Sequence, residues 1–167
     1  MRVFLLIAIL FVFSSHAFAQ KVIEPPAEKA STEEVQKWLA GSLAKYGSYK
    51  TRAGTIDVSN VRFEGCSVKY TLTRKSGSTS TAVMGATRTV NTIKDEVVID
   101  VAGLSNESVK LLDNVYAELQ TVEITLKTGA ASGIGDGKVI ELVVKAEAGK
   151  AIRTALIQAA RDCSKKN

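Results

Sequence analysis

The residues in this chain that could act as nucleophiles lack the partners that would activate them. Ser42-Leu43-Ala44-Lys45 matches the S-x-x-K pattern of penicillin-recognising enzymes, in which a lysine lies beside a nucleophilic serine, but no S-D-N segment accompanies it. Ser-His-Asp and Cys-His catalysis needs an imidazole base, and the chain contains one histidine, His16. Because His16 lies in a segment that we expect to be removed, the sequence predicts a protein that is not an enzyme.

The glycine-rich stretch 129–138 and the paired acids also fall short of a reaction site. A phosphate-binding loop needs a glycine five residues before Gly137 and Ser or Thr after Lys138, and neither is present. Adjacent carboxylates such as Asp95-Glu96 point to opposite faces of a strand. Two distant cysteines are too few for a zinc site. We therefore expect no cofactor and no metal, and we interpret 129–138 as a hairpin tip.

The two cysteines, Cys66 and Cys163, are expected to form a disulfide. Cys66 shares its alternate-residue face with Val68 and Tyr70, so it points towards the core of a sheet. Cys163 recurs at helical spacing with Leu156, on the apolar side of a C-terminal helix. Both sulfur atoms should therefore face the same core, and the alternative is two separate buried thiols.

Positive charge is concentrated between residues 50 and 94, where eight basic residues meet two acidic ones. A basic face attracts anionic lipid or polysaccharide. The alternative is that these side chains solvate the outer face of a sheet. Nucleic acid is not expected as a partner, because no pattern of stacking aromatic residues accompanies the charges. The candidate anion-binding residues are Arg62, Lys69, Arg74, Lys75 and Arg88.

The chain begins with the features of an export signal. Arg2 precedes an apolar run of eleven residues, and Ala17-Phe18-Ala19 matches a cleavage site. The run is shorter than the roughly 20 residues that span a bilayer, so no transmembrane span is expected. The sequence thus predicts a signal peptide over 1–19, a linker over 20–30, and a single domain over 31–167 in a secreted or periplasmic protein.

Two helices flank a long region of strand periodicity. Ser31 and Glu34 form a capping-box pattern, and an apolar stripe continues from there to Gly47. A second amphipathic helix covers 150–162. Serine and glycine at 76–78 predict a turn, and Gly65 predicts a bulge. The predicted strands are 56–59, 63–73, 82–92, 96–101, 115–120, 122–127 and 138–145.

Alternation within these segments favours antiparallel pairing, because one face is apolar and the other polar. The expected fold class is therefore α+β. An antiparallel sheet or a partly open β-barrel carries an N-terminal helix and a C-terminal capping helix.

The order of these features resembles a group of small uncharacterised exported bacterial proteins. The resemblance rests on the helix containing Trp38, the strand segment Phe63-Glu64-Gly65-Cys66, and the terminal helix that ends near Cys163. Seven strands followed by a helix are also similar to pleckstrin-homology-like barrels. Members of that superfold that bind phosphoinositides have a basic cluster in the first hairpin loop, whereas residues 60–65 here contain only Arg62. Lipid headgroup binding is therefore not implied.

The functional expectation is an exported, non-enzymatic binding or interaction module. Its partner would be an envelope component or another protein. The alternatives are an anion-binding protein that uses the basic segment 50–94 and an enzyme that relies on carboxylates or tyrosine.

Overall fold

The structure is a computed structural model that describes residues 23–82, 85–126 and 139–165. Within these ranges the chain forms two α-helices and seven β-strands, and the strands make two antiparallel sheets. The expected α+β class is confirmed at this level. In chain order the elements are α1 (Thr32–Tyr46), β1 (Tyr49–Lys50), β2 (Gly54–Glu64), β3 (Ser67–Ala82), β4 (Gly85–Asp100), β5 (Val109–Asp113), β6 (Leu119–Thr125), β7 (Val139–Lys145) and α2 (Ala146–Ser164).

Helix α1 begins where the capping pattern predicts. The Ser31 hydroxyl accepts a hydrogen bond from the backbone N–H of Glu34, and the Glu34 carboxylate accepts one from the N–H of Ser31. Hydrogen bonds donated to its carboxylate by the N–H and the hydroxyl of Ser31 lower the pKa of Glu34. The helix ends at Gly47. Most of the predicted inward stripe is buried, and Trp38 packs at the edge of the core; the buried members are Val35, Leu39, Leu43 and Tyr46.

Gly65 lies in the turn between β2 and β3. Glu64 pairs with Ser67, which leaves Gly65 and Cys66 as a two-residue loop. Gly65 has a φ of 61°, and a positive φ at only the first loop position fits a type II′ turn. The predicted bulge at Gly65 within a strand 63–73 is therefore wrong, because the chain reverses direction there and Phe63 belongs to β2.

The bulge is found five residues earlier, in the middle of β2. The register with β3 shifts between Ser59 and Arg62, and Asn60 has a φ of 53°. The extra residue reverses the alternation of side chains along the strand. Val58 before the bulge and Phe63 after it therefore face the same side of the sheet.

Strands β3 and β4 form one long hairpin. The ladder runs without interruption from Ser67 opposite Asp100 to Ala82 opposite Gly85. The turn predicted at 76–78 is wrong, because those residues continue β3. The separate strands 82–92 and 96–101 are one strand, β4, since the polar residues between them remain paired with β3.

The second sheet has the order β5-β6-β7. The predicted strand 115–120 is wrong over most of its length, because the chain turns there. Asn114 accepts a hydrogen bond from the N–H of Tyr116 through its side chain, and the C=O of Tyr116 accepts one from Leu119. The strand before this turn, β5, was not predicted. Strand β7 agrees closely with the predicted 138–145, whereas the predicted tip 129–137 lies outside the described residues.

Helix α2 is linked to the first sheet by the predicted disulfide. Cys66 in the β2–β3 turn and Cys163 near the end of α2 are bonded, with 5.8 Å between their Cα atoms and a sequence separation of 97. The helix is longer than the predicted 150–162. Its first turn contains Ala148 and Gly149, which are both buried.

One hydrophobic core joins the helices and the sheets. Leu39 from α1, Leu156 from α2, Ile99 of the first sheet and Ile124 of the second belong to this one core, and all four side chains are fully buried. Among the described residues the two sheets are separate and do not close into one barrel. The sequence predicts either one antiparallel sheet or a partly open barrel, and the structure has two antiparallel sheets that share a core.

Candidate binding groove

A groove runs along strand β7, between this strand and the inner face of the first sheet. It consists of three adjoining clefts of about 390, 180 and 380 Å³. The first two clefts share Tyr70 and Leu72, and the last two share Tyr49, so neighbouring clefts adjoin at these residues. We call this feature the β7 groove. Opposite β7 it is lined by Tyr49, Lys50, Ile56, Val58, Tyr70, Leu72, Arg74 and Val97.

The groove borders the edge of β7 and not one of its faces. Glu141, Leu142 and Val143 are consecutive, and all three line the same cleft. Side chains that follow one another along a strand point to opposite faces. A cavity that touches three in a row must therefore lie beside the strand, where its backbone groups point.

The backbone groups that point into the groove come from Glu141 and Val143. The N–H of Ala146 donates to the C=O of Glu118, 2.9 Å away, which makes these two residues a hydrogen-bonded pair. Hydrogen-bonded and non-bonded pairs alternate in an antiparallel ladder, so the backbone groups of residues 144, 142 and 140 bond to β6. The backbone N–H and C=O groups of residues 143 and 141 therefore point away from β6. β7 is the last strand of its sheet. Within the described part of the chain, nothing accepts from or donates to the backbone of Glu141 and Val143.

The wall opposite β7 is apolar. The bulge in β2 and the alternation in β3 place Ile56, Val58 and Leu72 on this face, and Val97 of β4 continues it. Val58 and Val97 are buried, whereas Leu72 and Ile56 are only partly buried. The partly buried side chains leave apolar surface that a ligand in the groove would cover.

Tyr70 supplies a polar group in this apolar wall. Its side chain is only 2% exposed, and burial raises the pKa of its phenol. Among the described residues the Tyr70 hydroxyl has no hydrogen-bond partner. Every fully buried side-chain oxygen or nitrogen among these residues does have a partner, so the Tyr70 hydroxyl is not fully buried. The neutral hydroxyl therefore opens onto the β7 groove, which Tyr70 lines in two of its clefts.

Charges in the β7 groove balance. Its cationic side chains are Lys50, Arg74 and Lys145, and its carboxylates are Glu118, Glu141 and Glu147. The whole chain, by comparison, carries a net charge of +5. The groove therefore does not share the basic character of the protein, and its charges suit an uncharged ligand.

Two of the predicted anion-binding residues are held in a network of ion pairs. Arg62 contacts Glu64 at 3.0 Å and Glu96 at 2.8 Å, and Lys69 also contacts Glu64. Hydrogen bonds from Lys69 and Arg62 lower the pKa of Glu64. The cross-strand register brings these residues together, so their charges neutralise one another in the free protein.

The other three predicted anion-binding residues lie in different places. Arg74 faces the β7 groove, 3.8 Å from a carboxylate oxygen of Asp95. Lys75 lies on the opposite face of β3 and is exposed. The side chain of Arg88 lies outside the described part of the structure. The four described residues therefore lie at three separate places, with Arg62 and Lys69 together and Arg74 and Lys75 each apart from them.

A smaller basic cleft lies where the β3–β4 hairpin leaves the body of the protein. Its volume is about 230 Å³, and Lys50, Arg52 and Lys75 line it together with Gly54 and Gly77. No carboxylate lines this cleft, and within the described part of the chain none of the three cations forms an ion pair. The concentration of charge in 50–94 indicated such a cluster, but the sequence did not show which cations remain free.

The cleft between α2 and the N-terminal segment is larger, at about 450 Å³, and two of its polar side chains, Arg153 and Gln158, are already hydrogen-bonded. Arg153 donates to the backbone C=O groups of Val109 and Asn106, at 2.7 and 3.0 Å. Gln158 donates to the C=O groups of Ala27 and Glu28. These hydrogen bonds hold the connection before β5 and the N-terminal segment against the helix.

The S-x-x-K residues are not arranged for nucleophilic chemistry. Ser42 faces the core and is buried, whereas Lys45 is exposed, with its ammonium 4.9 Å from the ring centre of Tyr46. Interaction with Tyr46 raises the pKa of Lys45, which is opposite to the shift that a general base needs. Lys127-Thr128-Gly129 matches the K-T-G segment of the same enzymes, and it lies outside the described residues.

Two absences hold for residues 23–82, 85–126 and 139–165 of the structure. Neither helix in these ranges has the length and apolar character needed to cross a membrane. In the same ranges, no three acidic, histidine or cysteine side chains are grouped as a metal site would require.

Comparison of the chain with models of known protein families, with curated proteins and with solved structures found no match. The resemblance to small exported bacterial proteins and to pleckstrin-homology-like barrels therefore stays a prediction.

Proposed function

We propose that the protein is a non-enzymatic binding module that holds an uncharged, apolar segment of its partner in the β7 groove. The observation that carries this proposal is the groove itself, in which Leu72 and Ile56 offer partly exposed apolar surface next to the Tyr70 hydroxyl. Ligand sites typically combine an apolar wall with a few polar groups that orient the ligand. The balanced charges support an uncharged ligand.

An uncharged apolar dye, Nile red, tests the groove. We expect saturable binding to the wild-type protein, and we expect Leu72→Glu to weaken it about tenfold or more, because a carboxylate would have to be desolvated against the ligand. Leu112→Glu is the matched control, since Leu112 is 40% exposed and does not line the groove. Dye fluorescence titrations measure both variants.

Equal loss of dye binding in both leucine variants would contradict the groove as the site. Absence of saturable binding by the wild-type protein would contradict the proposed function. A hydrolytic activity that copurifies with the protein and is reproduced in a broad substrate screen would contradict its non-enzymatic character.

We also propose that the protein is exported and acts in the periplasm or outside the cell. The Cys66–Cys163 disulfide supports this, because such bonds persist in oxidising compartments. Cleavage of residues 1–19 is expected to leave Gln20 as the first residue. Expression of the full chain in a bacterium, followed by intact-mass measurement of the periplasmic and culture fractions, checks this. An uncleaved chain confined to the cytoplasm would contradict export.

Anion binding is the second candidate function, and the basic cleft of Lys50, Arg52 and Lys75 favours it. A pair of unit charges 4 Å apart in water is worth about 1 kcal/mol, so Lys75→Glu should weaken binding to heparin about fivefold or more. Affinity should also fall as salt is added. Lys110→Glu is the control, because it makes the same charge change on an exposed lysine of the second sheet.

Heparin affinity chromatography and titrations between low and physiological salt measure this effect. A wild-type protein that is not retained at low salt would contradict anion binding. Identical behaviour of the two lysine variants would show that only the net charge matters.

A further inference from the structure

We propose that the ligand of the β7 groove is an extended peptide segment of another protein, which adds as a strand to the free edge of β7. This inference rests on the proposed function and specifies its ligand. The partner segment is uncharged and has apolar side chains at alternate positions. It would extend the order β5-β6-β7 by one strand.

The first argument is the unpaired backbone at the groove. The N–H and C=O groups of Glu141 and Val143 point away from β6 and have no partner among the described residues. A small apolar molecule can bind on the apolar wall and leave these groups open to water, but a ligand that fills the groove along β7 must pair with them, because covering unpaired polar groups is costly. An extended peptide presents donors and acceptors at the same spacing, as in other cases of strand addition.

The second argument is the shape of the groove. It follows β7 from Val139 to Lys145, a span of seven residues, or about 20 Å at the usual rise of about 3.3 Å per residue. Strands of five to seven residues are typical of sheets, so the length suits one added strand. One face of that strand would lie on Leu72 and Val58, and the Tyr70 hydroxyl would be available to its polar groups.

The third argument is charge complementarity. Three cations and three carboxylates line the groove, so a strongly charged segment of either sign would meet repulsion from half of them. A segment without charged side chains meets none. The basic cleft, which is lined by cations alone, lies at the base of the β3–β4 hairpin and would bind a different ligand.

A second copy of this chain fits the groove less well than a separate peptide. Pairing of two β7 edges about a two-fold axis would require both edges to approach each other directly. The first sheet stands over each edge, since Tyr70, Leu72 and Arg74 line the same clefts as β7. A single extended segment can enter where a folded domain cannot.

Selection from a displayed library of random heptapeptides on the immobilised wild-type protein tests the proposal. We expect enrichment of uncharged peptides with apolar residues at alternate positions. Val143→Pro removes the outward N–H of Val143 without breaking a bond to β6, and a proline is tolerated on the free side of an edge strand. Enriched peptides should bind this variant at least tenfold more weakly. Val143→Ala keeps the N–H, and its affinity should stay within about threefold of the wild type.

Hydrogen exchange of the wild-type protein provides a readout that does not depend on any variant. In the free protein the amides of Glu141 and Val143 should exchange faster than those of Leu142 and Val144. Addition of an enriched peptide should slow the exchange of Glu141 and Val143 by at least tenfold. If these two amides do not slow, the peptide is not paired with β7 and the proposal is wrong, even where Val143→Pro fails to fold.

Other outcomes overturn the inference in distinct ways. No enrichment, or enrichment of acidic peptides alone, would exclude the proposed partner. Sedimentation that shows a dimer which Val143→Pro dissociates would identify a second copy as the occupant. If Nile red still binds and responds to Leu72→Glu while no peptide is enriched, the proposed function stands and strand addition fails.

Discussion

Replacement of both cysteines by alanine is expected to lower the free energy of unfolding by about 2–5 kcal/mol. The bond between Cys66 and Cys163 closes a loop of 97 residues that contains most of the fold. In the chain-entropy model a loop of this size is worth up to about 4.7 kcal/mol, because the cross-link restricts the unfolded chain. Cys163 is 1% exposed, so its replacement also removes a small contribution from packing.

Urea denaturation of the oxidised wild type, the reduced wild type and the double variant measures this effect. The reduced wild type is the matched control, because it keeps both side chains and loses only the bond. Reduction of the disulfide alone should account for most of the loss in the free energy of unfolding. Equal midpoints for the oxidised and reduced proteins would show that the disulfide contributes nothing to stability.

Leu39→Ala is expected to destabilise the protein by about 2–5 kcal/mol. Leu39 is fully buried in α1 and belongs to the core that joins both helices to the sheets. Its truncation loses apolar burial and leaves a cavity, since packed neighbours relax only in part. The effect should be seen with the disulfide intact, because it arises in the folded state.

Leu112→Ala is the control for this prediction. It removes the same atoms from a leucine that is 40% exposed in β5, and we expect a loss well below that of Leu39→Ala. Thermal and urea unfolding of the two variants give the comparison. Similar losses in both would contradict the placement of Leu39 at the centre of the core.

The elements with local signals could be predicted from the sequence. The reciprocal bonds of Ser31 and Glu34 need only residues that lie three apart, and they form as the pattern indicates. The predicted pairing of Cys66 with Cys163 is also confirmed, although Cys66 lies in the β2–β3 turn and the strand alternation begins only after it. Strand β7 is also close to its predicted bounds, because the buried face of this segment, at Ile140, Leu142 and Val144, is apolar at every second position.

The turns were harder to predict, because similar residues occur in turns and in strands. Ser76-Gly77-Ser78 has the composition of a turn, yet β4 continues to pair with it, and the chain remains extended. Gly65 and Asn60 both adopt positive φ, but only the pairing partners decide which of them lies in the turn and which in the bulge. Pairing across strands outweighs the local preference in these cases.

The sequence by itself determined the α+β class, the start of the first helix and the inward direction of Cys163, because these depend on neighbouring residues or on a regular period. The tertiary structure alone decided that Arg62 and Lys69 meet Glu64 and Glu96, and that the edge of β7 lies unpaired against the first sheet. Both results depend on strand register and on the packing of two sheets, which bring together residues that are distant in the chain. The sequence alone does not separate the paired cations of segment 50–94 from the free ones, and it contains no signal for the β7 groove.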